Sequence, residues 1–155
     1  MRRKNQEIID RNVIEEILQK SLICRIGTIS DGVPYIVPLN YGYDNNIIYI
    51  HSASEGKKMD ILKANNKVCF EIEDTTEIIR KDLSCDWATK YRSLIGYGTI
   101  DIITDSEQKK RGLDIIMTQH GKTMNNVYKE EQVENLVILK LTIERVTGKQ
   151  SLNWN

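Results

Sequence analysis

The sequence lacks most of what usually announces a function. In 155 residues, proline occurs only twice, at Pro34 and Pro38, and histidine only twice, at His51 and His120. There is no H-E-x-x-H, no C-x-x-C and no histidine–carboxylate cluster, so a metal centre has no support. A Walker loop, a G-x-G-x-x-G turn and a G-x-S-x-G elbow are also missing. Net charge is absent too: Lys plus Arg and Asp plus Glu both number 22, a balance that argues against bulk DNA or RNA as the main partner. No apolar run approaches the ~20 residues of a membrane helix. The charged start, Arg2-Arg3-Lys4, has no signal-peptide core and reads as a solvated tail. The expectation is a cytoplasmic protein with no membrane partner. The cysteines, Cys24, Cys69 and Cys85, are odd in number and show no metal-ligand spacing. Cys24 and Cys69 fall in apolar stretches and read as small core residues, whereas Cys85 lies in a polar one. A chain of this length suits a single domain over 1–155 and buries roughly two-thirds of its unfolded surface, so it needs no disulfide or metal staple.

What is present is alternation. A helix is predicted over 10–20, capped by Asp10, with Val13, Ile14, Ile17 and Leu18 on one face. A strand over 22–30 meets the hairpin signal Asp31-Gly32. The next strand, 33–43, places Val33, Tyr35, Val37, Leu39, Tyr41 and Tyr43 on one face. After a turn at 44–46, residues 47–50 complete a three-stranded meander. A short helix over 56–65 turns Met59 and Leu62 inward, and Val68, Phe70 and Ile72 alternate in a fourth strand. Residues 74–90 read as a loop with a helical turn. A long strand follows over 91–103, where Gly96 and Gly98 imply coiling or close backbone approach. Thr104-x-x-Glu107 matches a capping box for a helix reaching about His120 and stopped by Gly121. Residues 122–134 read as a polar loop, and Val137 to Ile143 form a last strand. Six strands and about three helices imply a mainly β, antiparallel fold, which escapes exposed edges best as a barrel with helices over its ends or gaps.

Candidate chemistry is sparse. Glu71 and Glu73 share a strand face, where solvation explains them better than acid–base work. With no acid–base constellation, any catalysis would come from a cofactor. Both prolines lie on one strand, four residues apart, and so lack donors along the same edge. Either this is an edge strand protected by proline, or the strand opens and exposes backbone groups at 37–40 to a flat heterocycle. The stretch HSASEGKK (51–58) is also two-sided. Ser52-x-x-Glu55 could be a plain capping box. Yet Lys57 and Lys58 would stand in the first turn of a helix, where the dipole disfavours cations. A bound anion reverses that sign, drawing amides, hydroxyls and ammonium groups together, with Gly56 admitting close approach. A phosphate cradle one hairpin from an open strand edge is the layout that flavin mononucleotide (FMN) needs.

Several segments together resemble a family. VPYIVPLNYGY (33–43), IIYIHSASEGKKMDIL (47–62), YRSLIGYGTI (91–100) and VTGK (146–149) are similar to the nitroimidazole-resistance-type flavoproteins of the pyridoxamine 5'-phosphate oxidase-like superfamily. MRRKNQEI and CRIG (24–27) add to the likeness, which spans nearly the whole chain in order. The resemblance implies a six-stranded antiparallel split β-barrel of Greek-key topology, and a homodimer holding FMN at its interface. It implies ring contacts from the backbone of Val37, Pro38, Leu39 and Asn40, and ribityl and phosphate contacts from His51, Ser52, Ala53, Lys57 and Lys58. Trp87 and Ser93 fall where the partner subunit's side of the pocket is expected. The reaction class implied is flavin-dependent reduction or oxidation of a small molecule, nitroaromatics included; a nicotinamide nucleotide is the expected electron donor. His51 is the candidate proton carrier, or else a hydrogen-bonding clasp. A flavin-binding redox sensor without turnover, or a barrel holding heme or a deazaflavin, are the competing functions. Two departures stand out. The ending ERVTGKQSLNWN lacks the arginine-rich substrate signature of the oxidase proper, which disfavours pyridoxine phosphate. Tyr41 stands where phenylalanine is common, so its hydroxyl needs a partner.

Overall fold

Asp10 starts the first helix as its spacing predicts, its carboxylate accepting from the amide of Asn12 at 2.9 Å. Helix α1 (Arg11–Lys20) then buries Ile14, Ile17 and Leu18. The computed structural model describes residues 4–122, 126–152 and 154, apart from the side chain of Thr75; Arg2 and Arg3 of the basic tail and 123–125 of the expected polar loop lie outside them. The sheet contains β1 (Glu7–Ile8), β2 (Ile23–Ser30), β3 (Val33–Asn40), β4 (Gly42–Asp44), β5 (Ile47–Ala53), β6 (Lys67–Ile79), β7 (Ala88–Ile103) and β8 (Leu136–Ser151). The helices that follow α1 are α2 (Lys57–Ala64), α3 (Ser106–Gln119) and α4 (Glu130–Glu134). None of the helices among the described residues is long and apolar enough to cross a membrane.

All pairings are antiparallel, in the order β3-β2-β6-β7-β8-β5-β4, with β1 paired to β8. The fold is therefore mainly β with flanking helices, as expected, but with eight strands rather than six. The two extra strands are too short to read from period-two alternation: β1 has two residues and β4 has three. The single strand expected over 33–43 is broken at Tyr41, and its halves go to different neighbours. β3 pairs with β2 and β4 with β5. The expected meander is thus wrong at its middle step, because β3 has no ladder with β5. The polar stretch 74–79, read as loop, continues β6, and β7 begins at Ala88, so the pair forms a long hairpin with a 3₁₀ turn at Ser84–Asp86 near its tip. Cross-strand pairing there holds residues whose polar alternation hid the strand. The cap of α3 is Asp105, accepting from Gln108, one residue beyond the expected Thr104.

The core takes Leu39, Tyr41 and Tyr43 from the face expected over 33–43, while Val33 at its start is exposed. Tyr41 is fully buried and its hydroxyl donates to the Leu18 carbonyl at 2.8 Å. It belongs to one core cluster with Ile17, Leu18, Ile48, Ile50, Met59, Phe70, Ile72, Leu94, Leu139 and Leu141. Cys24 joins that core, but Cys69 is exposed on the outer face of β6, a correction to its reading as a core residue. Glu71 and Glu73 flank Arg25 at 2.9 and 3.3 Å, which accounts for them as surface ion pairs. Gly96 lies under the Phe70 ring, and Gly98 sits at a register shift against the Thr142 carbonyl, as their close-approach reading requires. Gly42 is tighter in consequence: a Cβ there would stand 2.6 Å from the backbone of Ile115 and Ile116 in α3, and backbone cannot swing aside. Gly42→Ala is expected to cost about 1–3 kcal/mol by forcing α3 off the sheet, whereas Gly112→Ala, facing only the Ile138 side chain, should cost less; urea denaturation of both variants measures the difference.

Candidate functional site

The two proline positions decide how β3 can be used. Its pairing with β2 runs unbroken from Ser30↔Val33 to Ile23↔Asn40, through both prolines. In an extended strand, alternate residues turn their amide and carbonyl to opposite edges. The Tyr35 carbonyl accepts from the Thr28 hydroxyl and the Tyr41 amide donates to Leu22, so the odd positions face β2. The even positions, Pro34, Ile36, Pro38 and Asn40, therefore face away. β3 ends the strand order, so that second edge carries no ladder. Both sequence readings hold at once: β3 is an edge strand, and its open side offers the carbonyls of Pro38 and Asn40 and the amide of Asn40. Val37 and Leu39 are half-buried, while Pro38 and Asn40 are exposed.

Opposite this edge lie β5 and α2. β3 and β5 come within 8 Å of each other without pairing, so the curled sheet stays unsealed between them. HSASEGKK spans the end of β5, a bend, and the first turn of α2. The capping-box reading fails: Ser52 is still in the strand, 5% exposed, and its hydroxyl donates inward to the Ala53 carbonyl at 2.9 Å, beside the Met59 sulfur. The cap position is Gly56, with φ of +103° and no side-chain cap bond. Only glycine adopts that backbone easily. The Met59 and Asp60 amides bond to the Gly56 carbonyl, while those of Lys57 and Lys58 have no acceptor among the described residues. Ser52 thus contributes no side-chain oxygen to a cradle, a correction to the expected convergence of hydroxyls. The two free amides and two lysines remain.

The charged groups beside this helix start divide. Lys57 is exposed, with its ammonium 4.8 Å from the centroid of the Tyr35 ring. Lys58 is half-buried, and burial lowers its pKa. The His51 side chain lies on the outward face of β5 with Ala53, and its pKa is lowered below the ordinary 6.5 by burial first, then by the charges of Lys58 and His120. His51 is therefore neutral at neutral pH, which suits a hydrogen-bonding clasp better than a standing proton donor. Tyr35 has no role at the site in the sequence reading, because only the fold brings the alternating face of β3 beside Lys57.

Trp87 and Ser93 are not brought to the cleft within the chain. Ser93 pairs with Lys149 of β8, while His51 pairs with Ile138, eleven residues along the same strand. At about 3.3 Å per residue they stand at opposite ends of β8. Trp87 lies beyond Ser93 on the β6–β7 hairpin, half exposed, its indole nitrogen donating to the Lys81 carbonyl at 2.8 Å.

The geometry thus sets open backbone groups of β3 across from the uncapped first turn of α2 and its two lysines. A model of the pyridoxamine 5'-phosphate oxidase family matches residues 10–150. None of the curated proteins compared with the chain matches it. Among solved structures, a protein of Bacteroides thetaiotaomicron named as a candidate 5-nitroimidazole antibiotic resistance protein is 32% identical, with a TM-score of 0.83 over 93% of this chain and 86% of that one. The flavocytochrome Anf3 of Azotobacter vinelandii is 18% identical, with a TM-score of 0.81 over 99% of this chain and 72% of its own. An FAD- and heme-binding protein of Mycobacterium smegmatis is likewise 18% identical, with a TM-score of 0.83 over 96% and 75%. The last two share the fold. From residue 10 to residue 150, the chain belongs to the pyridoxamine 5'-phosphate oxidase family.

Proposed function

We propose that the protein is an FMN-dependent oxidoreductase that passes electrons from a nicotinamide nucleotide to a small acceptor, nitroaromatic compounds among them. The observation that carries this reading is the cleft between the open edge of β3 and the first turn of α2. An edge with spare backbone donors and acceptors suits the polar rim of a flavin ring, and uncapped amides beside two lysines suit its phosphate. The family membership and the nitroimidazole-resistance likeness support the same choice.

The residues present fit FMN. Val37, Pro38, Leu39 and Asn40 would hold the ring through their backbone, and His51 and Ala53 the ribityl chain. Lys57 and Lys58 would take the phosphate with their amides and ammonium groups. When bound, FMN supplies the hydride and electron transfer that no side-chain constellation here provides. The chain's own work is to bind and orient it, to set its potential with local charge, and to limit water. Lys58 raises the local positive potential, and neutral His51 can hold a hydroxyl without adding charge.

The reading includes a split barrel that works as a homodimer, with the site completed by Trp87 and Ser93 of a second copy, since neither reaches the cleft within its own chain. The outer face of β2, β3, β6 and β7 exposes Ile29, Ile36, Ile95 and Tyr97 at 42–66%. Contiguous apolar surface of this kind favours association. A cytoplasmic location, where nicotinamide nucleotides are at hand, belongs to the same proposal.

The purified protein is expected to show a flavin absorption spectrum that a nicotinamide nucleotide bleaches and a nitroimidazole restores. A heme or deazaflavin spectrum, or no turnover across a panel of donors and acceptors, would contradict the assignment. Lys57→Ala with Lys58→Ala should strip most of the flavin without unfolding the chain, and full flavin content in that variant would move the phosphate elsewhere. Light scattering should give a dimer. Because the folded state binds the His51 proton less readily than the unfolded state does, stability in the flavin-free protein should be complete above pH 6.5 and fall as pH drops below it. His51→Asn should flatten that decline in thermal melts taken across the pH range.

A further inference from the structure

We infer that Tyr35 is a positioning residue for the phosphate, acting through Lys57; this rests on the proposed FMN reading and extends it to a residue that the family likeness leaves unassigned. Tyr35 lies on the inward face of β3, across the unsealed split from α2, and the Lys57 ammonium sits 4.8 Å from its ring centroid. The two line one hollow of about 220 Å³ with Ser30, Asp31 and Val33.

The choice of an aromatic partner matters for charge. A carboxylate beside Lys57 would neutralise it and compete with an incoming phosphate. Asp31 lines the same hollow, yet no carboxylate among the described residues lies within 4.0 Å of the Lys57 ammonium. The face of a phenol ring attracts the ammonium through its quadrupole and leaves the full positive charge in place. Lys57 is thereby restrained near the unpartnered amides of the α2 first turn without losing the charge that an anion would meet. The contact also ties the strand with the open edge to the helix with the cradle, so it links the two ends of one ligand site. Its effect is specific for a ligand's phosphate, since the ring itself offers nothing that a flavin lacking phosphate would miss.

Fluorescence titration of flavin-free protein with FMN and with riboflavin tests this in the wild type, Tyr35→Leu, Tyr35→Phe and Lys57→Met. Tyr35→Leu is expected to weaken FMN roughly two- to five-fold and to leave riboflavin unchanged. Tyr35→Phe, which keeps the ring face, should bind both as the wild type does. Adding Tyr35→Leu to Lys57→Met should cause no further loss. Equal weakening of both flavins by Tyr35→Leu, or failure of Tyr35→Phe to restore FMN, would overturn the role of Tyr35 while leaving the cradle standing. If Lys57→Met and Lys58→Met themselves leave the FMN-to-riboflavin ratio unchanged, the cradle assignment falls, and the role of Tyr35 falls with it.

Discussion

The arrangement depends on a hydrogen-bond ladder that cannot form. Pro34 and Pro38 lack the amides that a further neighbour on the outer edge of β3 would need, and both fall on that edge because the β2–β3 register holds through them. The chain then breaks at Tyr41, so the segment after it joins β5 instead of continuing beside β2. The two ends of the sheet, β3 and β4, are consecutive in sequence and still unpaired. A sheet that could have sealed keeps a slot, and the slot is where unused backbone donors and acceptors face an adjoining helix end. Tyr41 anchors the break from inside, its hydroxyl spent on Leu18 of the α1 helix.

The helix end is poorly made as a helix end, and that is informative. Gly56 supplies no side-chain cap, two first-turn amides lack acceptors among the described residues, and two lysines stand at the positive pole with Asp60 as the first-turn acid. Burial pushes the Lys58 pKa down, so its charged form is disfavoured there. Each of these features opposes folding locally, and each is reversed in sign by an anion. Local conflict with good helix chemistry concentrated at one place supports the proposed binding site.

Much of this was legible before the fold was known, and the parts that were not have physical causes. Period-two alternation located the long strands but stopped short of their ends, with β8 running on to Ser151, and the lysines were rightly expected at a helix start, where α2 begins at Lys57. Alternation cannot report which neighbour a strand chooses, so the break at Tyr41 and the edge position of β3 needed the fold. Nor can it find β1 or β4, too short to show a period, or the polar ends of β6 and β7, whose pairing is decided across the hairpin. Ser52 misled for a related reason. Its spacing to Glu55 matches a cap, but β5 continues through Ala53 and turns the hydroxyl into the core. Tyr35 was invisible as a partner of Lys57 because its relevance lies wholly in what the fold brings beside it.

The central claim is that one slot, between the β3 edge and the α2 first turn, holds a flavin ring at one end and its phosphate at the other. A crystal structure of the protein grown with FMN tests it most directly. The account requires the phosphate within hydrogen-bond distance of the Lys57 and Lys58 amides, and the ring rim against the backbone of residues 37–40. FMN seated elsewhere, such as in the groove lined by Arg111 and Asp114 on α3, would contradict it.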